Sequence, residues 1–262
     1  MSQLSVKRIS TGYGKQNVIE NISFDLDDGT LMGIIGANGS GKTTLLKALC
    51  SILPHQGMCT LDGSVLEELH AKQLAKLVSY IPQRSGISID ISALDVVLMG
   101  FNPHLSLLEY PTKKMKDTAK QVMEVVGLAG KEEINYLHLS EGQKQLCILA
   151  RTLVSDSKLL LLDEPESALD FRFRHQMLSL LRNWVTSVKS IAVVTLHDPA
   201  LALNFCDKLL LLSDGGVLDI IEPKSDSLDK MEHLLSQVYG PVSLQRCHNR
   251  KGETQIVMLR ED

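Results

Sequence analysis

The sequence predicts an α/β fold: a buried parallel sheet, a small antiparallel β layer at the N-terminus, and a helical subdomain inserted between two halves of the sheet. Three observations predict it. Short apolar runs at 31–35, 159–162 and 191–196 read as strands covered on both faces. Residues 3–9 and 18–26 alternate apolar and polar side chains, as half-buried strands do. Residues 84–158 carry mostly helical periodicity, with breaks at Pro103, Pro111, Gly127 and Gly130.

The elements follow in order. Asp27-Asp28-Gly29 turns the chain from the β layer into the run at 31–35, and Gly36-Ala37-Asn38-Gly39-Ser40-Gly41-Lys42-Thr43-Thr44 leads from that strand into a helix. Leu45, Leu46, Ala48, Leu49 and Ile52 mark one face of that helix, which Pro54 closes. A strand is expected at 57–61 up to Asp62-Gly63, a helix at 67–77, and a strand at 78–81 stopped by Pro82-Gln83. After the helical insertion come the strand at 159–162, a helix at 171–188, the strand at 191–196, and a strand turning through Asp214-Gly215 into a hairpin. Residues 223–230 read as a linker, followed by a short helix at 228–238 and two strand-like runs flanking Asn249–Glu253. This divides the chain into a unit at 1–222 and a C-terminal extension at 223–262.

Composition excludes several classes. A length of 262 residues suits one α/β unit with a smaller subdomain and two separate domains equally well, and a net charge of −4 opposes a nucleic-acid surface. Lys113-Lys114-Met115-Lys116, the densest basic run, reads as a solvated helix face. Cys50, Cys59, Cys147, Cys206 and Cys247 are scattered without a Cys-x-x-Cys pair, which suits a reducing compartment and no structural metal. No apolar run reaches the roughly 18 residues that span a bilayer, and the start of the chain lacks a signal-peptide pattern. A protein that stays inside and meets any membrane through a partner is expected.

The glycine-rich segment carries the chemistry. Glycines let successive N–H groups converge on an anion, and the helix beginning near Gly41 adds its positive end. Lys42 would then bridge the outer phosphates of a nucleotide, while the Thr43 hydroxyl would take a place on Mg²⁺. A metal so held needs a carboxylate on a neighbouring strand, and the strand at 159–162 ends in Asp163-Glu164. Asp163 would orient the metal through water and Glu164 would act as general base on the attacking water. Two acids after a buried strand also fit a plain helix N-cap.

Three further pieces fall in order: Leu139-Ser140-Glu141-Gly142-Gln143 before the acidic strand, Ser167-Ala168-Leu169-Asp170 after it, and His197 closing the next strand. With these motifs, residues 3–222 resemble the ATP-binding subunits of ABC transporters, which implies a P-loop NTPase (RecA-like) core with ATP and Mg²⁺ as cofactors. The resemblance implies that Tyr13 stacks on adenine, that Gly36, Asn38, Gly39, Ser40, Gly41, Lys42, Thr43 and Thr44 cradle the phosphates, and that Thr43, Gln83 and Asp163 serve the metal. It further implies that Gln83 meets the attacking water, His197 holds the γ-phosphate, Asp170 lies at the subunit contact, and Ser140, Gly142 and Gln143 complete the site of a second subunit. The implied partners are a second ATPase copy, integral membrane permease subunits and, indirectly, an extracytoplasmic substrate-binding protein, with the chain peripheral on the cytoplasmic face of the membrane. Nucleic acid is not among them.

Glu141 stands where this family usually has glycine, and Glu166 where it often has threonine; both leave slow hydrolysis open. An inward-turned Glu141 would repel the γ-phosphate, so its side chain is expected to face solvent. The segment from Asp95-Val96-Val97-Leu98-Met99-Gly100 through Phe101-Asn102-Pro103-His104-Leu105 is similar to ATPases for iron-siderophore, haem and cobalamin uptake. An exporter subunit and a soluble ABC-type ATPase share the nucleotide motifs and remain alternatives. His104, His138 and His175 have no partner at ligand spacing and read as solvated or capped.

Overall fold

Alternation in the first strands has its expected outcome. β1 (Gln3–Tyr13) and β2 (Gln16–Asp27) pair antiparallel, with Leu4 opposite Leu26 and Val6 opposite Phe24, and all four side chains are buried. The computed structural model describes residues 3–261 other than Lys15, Arg84, Ser85, Leu107 and Ala168. The expected start of the helical insertion at Arg84, and Ala168 in the loop before Asp170, therefore lie outside the described residues. β3 (Leu31–Gly36) leads through the glycine-rich loop to α1 (Lys42–Leu49). β4 (Gln56–Leu61) and β5 (Ser64–Val65) then complete a four-stranded sheet in the order β2-β1-β4-β5.

A six-stranded sheet forms the centre. Its further members are β6 (Val78–Ile81), β7 (Leu159–Asp163), β8 (Ile191–Thr195), β9 (Lys208–Ser213) and β10 (Gly216–Ile221), in the order β10-β9-β3-β8-β7-β6. All neighbours are parallel except β10, which returns from β9 through Asp214 and Gly215, both at positive φ as a two-residue hairpin turn requires. Successive residues along each parallel strand face opposite ways. Met32, Ile34, Leu159, Leu161, Ile191 and Val193 pack with α1 and the β layer, while Leu31, Ile35, Leu160, Leu162, Ala192 and Val194 pack with the helices on the other side. The period-two geometry of a strand thus turns unbroken apolar runs into two separate cores.

Helices cover the second face. α2 (Ala71–Leu77), whose Leu74 and Leu77 pack on the α1 side, precedes β6, and the insertion that covers the other face holds α3 (Ala93–Leu98), α4 (Lys113–Val125) and α5 (Glu141–Leu153). Gly100 fixes how closely α3 and its following turn meet α5, since a Cβ there would lie 2.0 Å from the Arg151 carbonyl oxygen. α6 (Phe171–Val188) and α7 (Pro199–Phe205) connect the later strands. No helix among the described residues is long and apolar enough to cross a membrane.

Two expectations are corrected. The stretch expected as one helix at 67–77 is a 3-10 turn at Leu66–Glu68 and then α2, because the Glu67 carboxylate turns back to accept the Cys59 N–H at 2.7 Å and His70 caps a fresh start. Ile52, expected on the buried face of α1, lies past its end and is 58% exposed, since Ser51 at φ 54 reverses the chain.

The extension comprises α8 (Leu228–Tyr239), capped by Ser227, and a hairpin of β11 (Val242–His248) and β12 (Thr254–Arg260). It packs on the central unit: Met231, Leu235, Leu244 and Ile256 join the core that holds Leu209 and Leu211. Asn204 on α7 binds both backbone groups of Ile256, donating at 2.8 Å and accepting at 2.9 Å. The cysteines are all free thiols. Cys50, Cys59, Cys147 and Cys206 are buried and Cys247, on β11, is exposed. Burial raises the first four, to about 11 at Cys50 and about 12 at Cys59 and Cys147.

Candidate active site

The loop between β3 and α1 is built to present backbone N–H groups. Gly41 precedes the helix at φ +98, and a Cβ there would lie 2.3 Å from Ile19 Cγ2, so only glycine lets β2 close over the loop. Lys42, 5% exposed, donates to the Gly36 and Ala37 carbonyl oxygens at 2.9 and 3.1 Å. Burial lowers its pKa, opposed by the charges of Glu164 and Asp163. The Ser40 hydroxyl is buried with no hydrogen-bond partner. An orphaned buried hydroxyl inside a glycine-rich turn that leads into a helix N-terminus is the mark of a cradle shaped for an anion. Asn38, Gly39, Gly41, Lys42, Thr43 and Thr44 line a cavity of about 220 Å³, with Val18 and Glu164 completing its wall.

The two acids at the end of β7 take different positions. Asp163 Oδ1 accepts from the Thr43 hydroxyl at 2.9 Å and from the Thr195 hydroxyl at 3.0 Å, while Tyr80 Oη donates to Oδ2 at 3.4 Å. Burial, then the Asp163 charge, pushes the Tyr80 phenol up. Glu164 has φ 48, a left-handed backbone that costs a residue with a Cβ about 1–3 kcal/mol and is kept where function needs the side chain re-aimed. Its N–H donates to the Thr195 hydroxyl at 2.8 Å. Its carboxylate receives Gln83 Nε2 at Oε2 and lies 2.7 Å from His197 Nε2 at Oε1. Neither acid serves as the helix N-cap that the sequence also allowed.

Thr195 escaped sequence reasoning. It is fully buried at the end of β8 and joins Asp163 to Glu164. Its only signal is a hydroxyl residue closing an otherwise apolar run.

The remaining candidates lie elsewhere. Tyr13, at the tip of the β1–β2 hairpin, is 55% exposed and is not among the residues lining the cavity. Ser140 caps α5, its hydroxyl accepting the Gln143 N–H at 3.3 Å while the Gln143 side chain accepts the Ser140 N–H at 3.1 Å; Gly142 sits between them in the first turn. None of the three lines the cavity of its own chain. Asp170 caps α6 through the Phe173 N–H at 3.0 Å. Glu141 points outward, 66% exposed, and pairs with Lys144 at 2.7 Å. His104 Nε2 meets the Ser155 carbonyl oxygen at 3.0 Å and His175 Nδ1 that of Phe171 at 2.9 Å.

The chemistry of this set is that of nucleotide hydrolysis: an anion cradle with a buried ammonium, a hydroxyl and carboxylate side by side, and a second carboxylate held by an amide and an imidazole. The family model for the ABC transporter matches residues 19–167. The chain belongs to the ABC transporter family. Over 251 residues it is 35% identical to a hemin import ATP-binding protein of Vibrio parahaemolyticus, covering 94% of each chain. An iron chelatin transport ATP-binding protein of Helicobacter pylori is 34% identical over 238 residues, 90% of this chain and 92% of the relative. Among solved structures, the inward-facing conformation of a metal-chelate type ABC transporter superposes with a TM-score of 0.83 at 29% identity, covering 100% of this chain and 99% of that one. This chain is therefore an ABC transporter ATP-binding subunit, an ATPase whose nucleotide is ATP. The Thr43 hydroxyl, on the cavity wall, and the Asp163 carboxylate 2.9 Å from it are hard oxygen donors of the kind that fit Mg²⁺, while Gln83 is turned with its amide nitrogen on Glu164.

Proposed function

We propose that this ABC ATPase powers uptake of an iron chelate, haem or a cobalamin-like cargo through a separate membrane permease, as a pair of identical subunits peripheral on the cytoplasmic face, with residues 1–222 as the ATPase unit and 223–262 as an extension of it. The catalytic reading rests on one observation: the Glu164 carboxylate, at the cavity wall, is fixed from both sides by Gln83 and His197. Glu164 takes a proton from the attacking water, whose oxygen bonds to the γ-phosphorus as the bond to the β,γ-bridging oxygen breaks, giving ADP and phosphate. Lys42 and the loop N–H groups hold the phosphates, and His197 orients the γ-phosphate. Bound Mg²⁺, held by Thr43 and by Asp163 and Gln83, would offset the charge of the outer phosphates.

The exposed start of α5 supports a two-chain site. Ser140, Gly142 and Gln143 present a helix N-terminus that serves no anion in its own chain, and a second copy would bring it to the γ-phosphate. ATP then drives closure because it binds the closed pair better than the open one. The importer reading is supported by similarity that runs the length of the chain, extension included, to relatives named for hemin and iron chelatin transport.

Replacing Glu164 by Gln tests the catalytic half: hydrolysis should slow by about 10² to 10⁴-fold while ATP binding persists. Turnover at the original rate would remove Glu164 as base. Uptake of radiolabelled ferric siderophore, haem and cobalamin by cells lacking the chain tests the cargo, and unimpaired uptake of all three would refute it.

A further inference from the structure

Glu166 is 2% exposed, close behind the reacting groups. Its Oε1 accepts the backbone N–H of His197 at 3.2 Å, and its Oε2 is buried without a hydrogen bond. Enclosing a carboxyl group with one oxygen unsatisfied is costly, so its position calls for a compensating role. Burial raises its pKa, against the pull of its own and the His197 backbone N–H groups.

The His197 amide needs this acceptor. On one side of it the Leu196 N–H continues the sheet by donating to Ile34, and on the other Asp198 caps α7 through the N–H groups of Ala200 and Leu201. His197 therefore stands between strand and helix, in neither ladder. Its side chain is 45% exposed and meets Glu164 at 2.7 Å. With nearly half of the side chain in the open, its direction depends on the backbone from which it projects.

We propose that Glu166 is a positioning residue for ATP hydrolysis: by holding the His197 amide, it ties the loop after β7 to the loop after β8 and keeps the imidazole opposite Glu164. The proposal rests on the reading in which Glu164 and His197 act at the γ-phosphate. A misdirected imidazole would slow the chemical step more than it weakens ATP binding, because the phosphate loop and Lys42 are untouched.

The test is steady-state ATP hydrolysis by the full-length chain and its variants. Glu166→Gln keeps an acceptor oxygen and should stay within about two-fold of the parent kcat, whereas Glu166→Met, similar in length but without an acceptor, should lose about ten-fold in kcat with KM for ATP changed by less than about two-fold. Combined with His197→Ala, Glu166→Met should add little further loss, since the two act as one unit. Glu166→Leu repeats the comparison should the Met variant fail to fold. A folded Met or Leu variant with parent kcat, a Gln variant as slow as Met, or losses that multiply with His197→Ala would each overturn the proposal. Parent activity in His197→Ala alone would instead overturn the underlying role of His197.

Discussion

Tyr239 and Gly36, 203 residues apart in sequence, are joined: Tyr239 Oη accepts the Gly36 N–H at 3.1 Å. The last residue of α8 thereby grips the first residue of the phosphate loop, and burial holds its phenol up at about 12. Tyr239→Phe keeps the ring and deletes the acceptor. It should cost about 1 kcal/mol in chemical denaturation and weaken ATP binding by about two- to five-fold in a nucleotide titration.

Gly41→Ala should be more severe. The new methyl carbon would stand 2.3 Å from Ile19 Cγ2 on a backbone at φ +98. Strain and the clash together should lower stability by about 2–4 kcal/mol, and ATP binding should fall below detection when measured calorimetrically.

Glu141→Gly should leave catalysis nearly intact. The outward carboxylate is paired with Lys144 and meets no phosphate of its own chain, so kcat and KM should stay within about two-fold, with a stability loss of about 0.5–1 kcal/mol from the exposed pair and the first helical turn. A several-fold gain in turnover would show instead that this charge acts across the subunit contact.

Asp207 links the core to the extension and should shape the acid limb of stability. Burial alone would raise its pKa, but hydrogen bonds from Arg182, the Leu31 N–H and Lys224 outweigh that and hold it below 3.8. In the range between the folded value and 3.8 the unfolded chain binds more protons. This contribution is therefore complete above about pH 4 and is lost as the pH falls through the folded value. Asp207→Asn should lower stability at pH 7 by about 1–3 kcal/mol and flatten its decline below pH 4, as read from melting temperature against pH.

Local signals make most of the strands, the phosphate loop and α6 legible in the sequence itself. α6 spans the expected 171–188, and the Leu159–Asp163 run is buried at every position. The turn at Leu66–Glu68 was hidden because it depends on Glu67 meeting Cys59, a contact that helical periodicity does not encode. Gln83, Glu164 and His197 are each candidates in the sequence, yet their meeting depends on β6, β7 and β8 lying side by side. Thr195 and Tyr239 went unnoticed for the same reason, since a single hydroxyl reveals nothing until its partner from a distant strand or loop is in place.

The contrast among the thiols has a practical consequence. Four are enclosed, three of them with pKa values near 11 to 12, so a maleimide dye at neutral pH would find Cys247 alone. Its fluorescence would report any shift of the C-terminal hairpin on nucleotide binding in the unmutated chain.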